Sequence, residues 1–237
     1  MESPYLDCIA LFGVGGAHPG GLQLTKKILT KEKIRETTAI LDVGCGTGQT
    51  SAYIAKQYGC NVTALDCDKI MLEKAKQRFE SLRLPIDVRK GSAESLPFDD
   101  GSFDIVLSES VTAFTDVSRT VPEFRRVLKK DGVMLAIEAV IEKSVSEEEL
   151  APFLHFYGMS GLLTEHEWLN LFQKANFKNI NVERYKVQID EQDVDNAADF
   201  SLSEDIGSES YEALEKHFHY SMFYKDILGY RVFRCSC

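Results

Sequence analysis

No block of Lys and Arg concentrates positive charge anywhere in these 237 residues, and acidic side chains outnumber basic ones 37 to 27 for a formal net charge of −10. A polyanion finds no electrostatic footprint on such a chain, so nucleic acid is not an expected substrate and anionic membrane surfaces are disfavoured. No apolar run approaches the roughly 20 residues that cross a bilayer, and the first residues, Met1 to Asp7, lack the basic opening of a signal peptide. A cytoplasmic protein without membrane insertion is expected. The cysteines, at 8, 45, 60, 67, 235 and 237, form no CxxC pair and no Cys/His spacing of zinc-site type. Reduced thiols and no metal are the expectation, since cytosolic cysteines stay unpaired. His18, His155, His166, His217 and His219 assemble no ligand set either, because the nearest pair, two residues apart, points to different faces of a helix.

What is present is a chain with 44% hydrophobic residues, enough to bury a sizeable core, and no internal repeat. Short, β-branched apolar runs at 39–43, 62–65, 86–88, 103–107 and 133–137 alternate with segments of helical spacing. In 68–82 the apolar stripe is Ile70, Met71, Ala75, Phe79 and Leu82, and Asp68 is placed to cap it. Strands alternating with helices imply βαβ crossovers and a parallel sheet buried on both faces. In such open sheets a ligand binds outside the carboxyl ends of the strands.

The most informative segment is Ile40-Leu-Asp-Val-Gly-Cys-Gly-Thr-Gly-Gln-Thr50, an apolar strand opening into a glycine-dense turn with a helix-compatible stretch after it. Gly44, Gly46 and Gly48 let the backbone turn tightly and approach a ligand that a Cβ would push away, and Cys45 and Thr47 keep that approach open. Asp42 at the strand end can orient the loop or a nearby cationic group. A dinucleotide fingerprint would place a glycine or alanine three residues after Gly46, where this chain has Gln49. That spacing weakens the reading of an NAD-dependent oxidoreductase without removing it. Downstream, Asn61-Val-Thr-Ala-Leu65 ends in Asp66, a carboxylate placed to accept hydrogen bonds from both hydroxyls of a ribose, as nucleoside cofactors of several kinds require.

The form Asp-x-Gly-x-Gly-x-Gly at 42–48, the acidic Asp66, the segment Gly91-Ser-Ala-Glu-Ser-Leu-Pro-Phe98 with Ser102-Phe-Asp-Ile-Val106, and Phe124 to Ile137 stand in one order. This set resembles the class I S-adenosylmethionine-dependent methyltransferases, with motifs similar to those of the ubiquinone and menaquinone methyltransferases. The resemblance implies a Rossmann-like α/β fold, a three-layer αβα arrangement around a seven-stranded sheet of order 3-2-1-4-5-7-6 with strand 7 antiparallel. It implies S-adenosylmethionine as cofactor and S-adenosylhomocysteine as product. The cofactor-binding set would be Asp42, Gly44, Cys45, Gly46, Gly48, Gln49, Asp66, Cys67, Met71, Ser92, Ala93, Glu94 and Ser108, with Asp66 on the ribose, Met71 near the adenine and Ser108 beside the methionyl part. Family members carry an acidic residue where this chain has Ser92, so that adenine contact is altered here.

Two residues are catalytic candidates. His18 lies in the Gly-rich stretch 12–25, in a Pro-Gly-Gly turn that opens an amphipathic helix, where a His-Pro-Gly-Gly-Leu segment resembles a cofactor-proximal flap of some small-molecule methyltransferases. Glu109 follows the fourth strand of the resemblance. A single methyltransferase domain over 1–237 is expected, with a flap and helix at 1–30, a core at 31–187, a helical insertion at 188–226 and the last strand at 227–237. The capping-box pair Thr164 and Glu167 marks the helix before the sixth strand, expected at 178–184. Aromatics at 153–157 and the insertion are candidates for lining an acceptor pocket. The expected activity is methyl transfer to a small-molecule acceptor by in-line displacement. A non-catalytic nucleoside-binding protein is the other alternative.

Overall fold

The computed structural model describes residues 3–185 and 199–237, so the stretch 188–198 of the expected insertion lies outside the described residues. The chain opens with α1 (Pro4–Phe12), a helix that sequence periodicity did not announce, started by Pro4 in its first turn and by the Ser3 hydroxyl accepting from the Leu6 N–H. β1 (Val14–Gly15) and α2 (Gly21–Leu29) follow. The alternating core then runs β2 (Ala39–Val43), α3 (Gln49–Tyr58), β3 (Asn61–Asp66), α4 (Lys69–Leu82), β4 (Asp87–Lys90), β5 (Phe103–Glu109), α5 (Val117–Val127) and β6 (Leu128–Ile141). It continues through α6 (Glu147–Tyr157), α7 (Glu165–Lys174), β7 (Asn179–Tyr185), β8 (Asp199–Phe200), α8 (Ser208–Phe223) and β9 (Leu228–Ser236).

Seven strands make one sheet in the order β4-β3-β2-β5-β6-β9-β7. The five strands from β4 to β6 are parallel, and β9 enters antiparallel to both β6 and β7. In order of the sheet's own strands this is 3-2-1-4-5-7-6, as the motifs implied. The centre of the sheet reads as continuous apolar sequence because helices cover both faces: Ile40, Leu41, Val106 and Leu107 are all fully buried. One face packs Phe124, Trp168, Phe172 and Phe233 under α5 and α7, and the other packs Leu24, Leu29 and Ile54 under α2 and α3. Burying each such side chain contributes about 1.5–3 kcal/mol, so these two layers hold the strand ends in place.

Two local expectations are corrected. β6 is longer than 133–137 because β9 keeps pairing with it out to Val140 and Ile141. On α4, Ile70 and Leu82 are exposed, while Leu72 and Lys74 join Met71, Ala75 and Phe79 on the buried face. Lys74 is buried because its ammonium donates to the main-chain carbonyls of Leu11 and Ser201. Asp68 caps α4 as expected, and the Ser146/Glu149 and Thr164/Glu167 capping boxes start α6 and α7.

Beyond the carboxyl ends of the strands, α1, α6 and α8 enclose a third apolar cluster that includes Phe12, Phe153, Phe156 and Tyr157. β1 and β8 pair antiparallel, Val14 opposite Phe200 and Gly15 opposite Asp199, joining the start of the chain to the segment before α8.

Candidate cofactor and acceptor site

The glycine loop leaves β2 and enters α3 with Gly44, Gly46 and Gly48 all at positive φ, between 53° and 75°. Their reasons differ. A Cβ on Gly44 would fall 2.3 Å from Val111, and one on Gly48 would fall 2.4 Å from Phe79, so both make room for the protein's own side chains. A Cβ on Gly46 would meet only the Met71 Sδ, at 3.9 Å. The middle glycine therefore faces open space walled by a thioether, a cradle that a side chain would fill and a ligand can enter.

Asp66 borders the same space from the end of β3. Its Oδ2 accepts the Gly46 N–H at 2.9 Å and its Oδ1 accepts the Asp68 N–H at 2.9 Å, which fixes the carboxylate and leaves lone pairs for further donors. Burial raises its pKa against the pull of these backbone N–H groups. The loop is tied to β3 from the other side too, since the Gly44 and Cys45 N–H groups both donate to the Leu65 carbonyl. Cys45 is buried, and burial drives its thiol pKa well up, so it is an inert wall. Cys67, beside Asp66, is exposed.

The two catalytic candidates, far apart in sequence, come together. The Thr25 hydroxyl donates to Glu109 Oε1 at 2.6 Å and the Thr50 hydroxyl donates to Glu109 Oε2 at 2.8 Å. His18 Nε2 lies 3.4 Å from the same Oε2 and 3.4 Å from the Thr25 hydroxyl, long for hydrogen bonds and within ion-pair reach. Side-chain exposures of 4% for His18 and 8% for Glu109 rule out a solvent-exposed imidazole on a loose turn. Elements α2, α3 and β5 thus converge on one carboxylate at the carboxyl end of the sheet.

Other expected site residues are committed elsewhere. Among the described residues Asp42 meets no cation: it is fully enclosed, accepts from the Ser51 hydroxyl at 2.5 Å, and has a pKa raised to about 7 by burial and by the charges of Glu109 and Asp66. Its role is to bind the loop's helix to β2. The Ser108 side chain points into the fold, 3.0 Å from the Thr112 hydroxyl and 3.5 Å from Glu138 Oε1. Glu138, buried on β6, accepts the Thr112 N–H at 3.1 Å, and burial pushes it up to about 7. Ala93 is buried and Ser92 exposed, while Glu94 turns away to accept the Asp116 N–H and pair with Arg119.

Sequence reasoning missed the residues that fasten the cover. Arg78 Nε donates to the Thr47 carbonyl at 2.8 Å, and its Nη2 pairs with Asp199 of β8 at 2.5 Å. One guanidinium thus spans the glycine loop and the ribbon, and Gln49 lies against Gly15 of the ribbon and Gly16 beside it. The available signal was a cation on the loop-facing side of α4, legible only once the ribbon's position was known.

A sheet of order 3-2-1-4-5-7-6, with a glycine-rich loop and an acidic residue at adjacent strand ends, is the architecture of the S-adenosylmethionine-dependent class I methyltransferases, and similarity over its whole length to a methyltransferase relative shows that the chain belongs to that family. A methyltransferase-domain family model matches residues 41–136. Over 231 residues, 98% of either chain, it is 38% identical to the uncharacterized methyltransferase YodH of Bacillus subtilis (strain 168). Over 161 residues, 67% of this chain and 28% of the other, it is 32% identical to the glycine/sarcosine/dimethylglycine N-methyltransferase of Actinopolyspora halophila. Its fold matches the phosphoethanolamine N-methyltransferase 2 of Haemonchus contortus, solved with phosphomonomethylethanolamine and S-adenosylhomocysteine, with a TM-score of 0.80 at 19% identity, covering 98% of this chain and 56% of that one. Family membership sets aside the NAD-dependent alternative. Among the described residues no helix is long and apolar enough to cross a membrane.

Proposed function

We propose that the chain methylates a small-molecule acceptor over the carboxyl ends of β2 and β5, with the cofactor seated on Gly46. The observation that carries this is the Gly46 cradle, open toward Met71 and bordered by the anchored Asp66 carboxylate. Gly46, Asp66 and Met71 would hold the nucleoside: Asp66 accepts from the ribose hydroxyls and Met71 packs on the base. Gly44, Cys45, Gly48 and Asp42 shape and brace the loop. When bound, S-adenosylmethionine would supply an electrophilic sulfonium methyl to a nucleophile aligned with it, S-adenosylhomocysteine leaving as the neutral thioether.

The chain's own contribution is then to orient the acceptor, exclude water and handle its proton. Glu109, held by Thr25 and Thr50, orients the His18 imidazole, and the pair is placed to take a proton from an amine, hydroxyl or acidic carbon. The acceptor side is lined by the aromatic cover of α1, α6 and α8. Relatives that methylate sarcosine or demethylmenaquinone support a small acceptor.

Calorimetric titration with S-adenosylmethionine and S-adenosylhomocysteine, with NAD as control, followed by an acceptor screen of amines, quinones and phenols tests this reading. Saturable binding of the first two and turnover of an acceptor are expected. Cofactor binding with no turnover of any acceptor would leave the non-catalytic alternative. In the active enzyme His18→Ala should lower kcat about 100-fold with cofactor affinity nearly unchanged; equal kcat would remove His18 from the chemistry.

A further inference from the structure

We propose that the outer face of α8, continued by Phe200 and Leu202, is the surface through which two copies of this chain associate about a two-fold axis. Tyr211, Leu214, Phe218 and Met222 recur at helical spacing on the side of α8 opposite buried Ala213, and with Phe200 and Leu202 they are between 42% and 69% exposed. The two parts meet at Phe12. The Ser201 N–H donates to the Gly13 carbonyl and the Ser203 N–H to the Leu11 carbonyl, which sets Leu202 opposite Phe12, and the Phe12 ring meets Tyr211 edge-on at 5.2 Å.

Six large side chains exposed to this degree present on the order of 600 Å² of apolar surface, at the top of the range for the largest patch of a monomer and close to the roughly 800 Å² each partner gives to a standard interface. Charge narrows the arrangement. Glu212 and Glu215 flank the stripe in the first half of α8, whereas the far end carries Lys225 beside Asp226, and Lys216 is turned inward over the Phe156 and Tyr220 rings. A two-fold axis perpendicular to the helices packs them antiparallel, which keeps the two acidic halves apart. A lipid surface fits worse. Membrane-docking helices carry Lys and Arg along the polar face, while here Glu204, Asp205, Glu209, Glu212 and Glu215 precede or flank the patch.

The face also reaches the active-site cover. Phe200 and Leu202 adjoin Asp199 and Ser201, which Arg78 and Lys74 clasp, so association would brace the ribbon over the glycine loop.

Sedimentation equilibrium of the full chain from about 1 to 100 µM tests the proposal by mass action. A reversible dimer is expected for the native chain, with Phe218→Asp monomeric across the range and unchanged in far-UV circular dichroism. A native chain that stays monomeric, or a dimer that survives Phe218→Asp, overturns the proposal. Flotation with phosphatidylcholine vesicles by a monomeric native chain, abolished by Phe218→Asp, would overturn it and assign the face to lipid.

Discussion

The glycine loop and the cover above it are held in place by opposite means. The loop is built into the sheet: Gly44 and Cys45 hang on Leu65, Gly46 on Asp66, and α3 is bound to β2 through Ser51 and Asp42. The cover of α1, the β1–β8 ribbon and α8 rests on aromatic packing and a few long cationic side chains, chiefly Lys74 and Arg78. A cofactor shared by a whole family can be met by a fixed cradle.

Gly46→Val should break that division most severely. At φ 53° a β-branched residue is strained, and its side chain enters the cradle, so S-adenosylmethionine affinity should drop at least about 100-fold by calorimetry. Near-native affinity would move the cofactor off this loop. Asp66→Ala should cost about 1–3 kcal/mol of cofactor binding through loss of a charged acceptor, with acceptor KM changing far less. An equal loss on both sides would deny that cradle and cover are separable.

The buried carboxylate beneath them sharpens the contrast through pH. Glu138 has a folded pKa of about 7, above its unfolded value, so the folded state holds its proton more tightly and stability from this group is full below about pH 4, declines as pH rises toward 7, and is lost above it. Glu138→Gln, which cannot ionise yet can still accept from Thr112, should therefore raise stability by about 2 kcal/mol at pH 8 and by little at pH 4 in urea unfolding. A gain of the same size at both pH values would mean that ionisation of Glu138 is not the cause.

The sheet was largely legible because its signals are local. A short β-branched apolar run, a glycine turn and a capping box each state their structure within ten residues, and the motifs then ordered them. His18 and Glu109 were legible as separate candidates, but their meeting was not, since it depends on α2 lying across β5 and on Thr25 and Thr50, which no motif marks. Asp42 could be read as orienting either the loop or a nearby cation, and only the fold shows that its partner is a serine on the loop's own helix. The Lys74 and Arg78 clasp stayed hidden for the same reason: a charged residue on a helix reads as solvated until the chain that returns to cover it is placed. Glu94 shows the converse, a residue in a cofactor motif whose side chain serves the start of α5.

The placement of β9 bears on how the molecule is made. β7 leaves the ribosome well before the strand that will separate it from β6, and its hydrogen-bonding edge has no neighbour until β9 is threaded between them. Synthesis proceeds from the amino terminus, so the cofactor half can be assembled while this end of the sheet is still open. Until β9 is in place, two strand edges, those of β6 and β7, lack the same partner. The late arrival of β9 closes both at once.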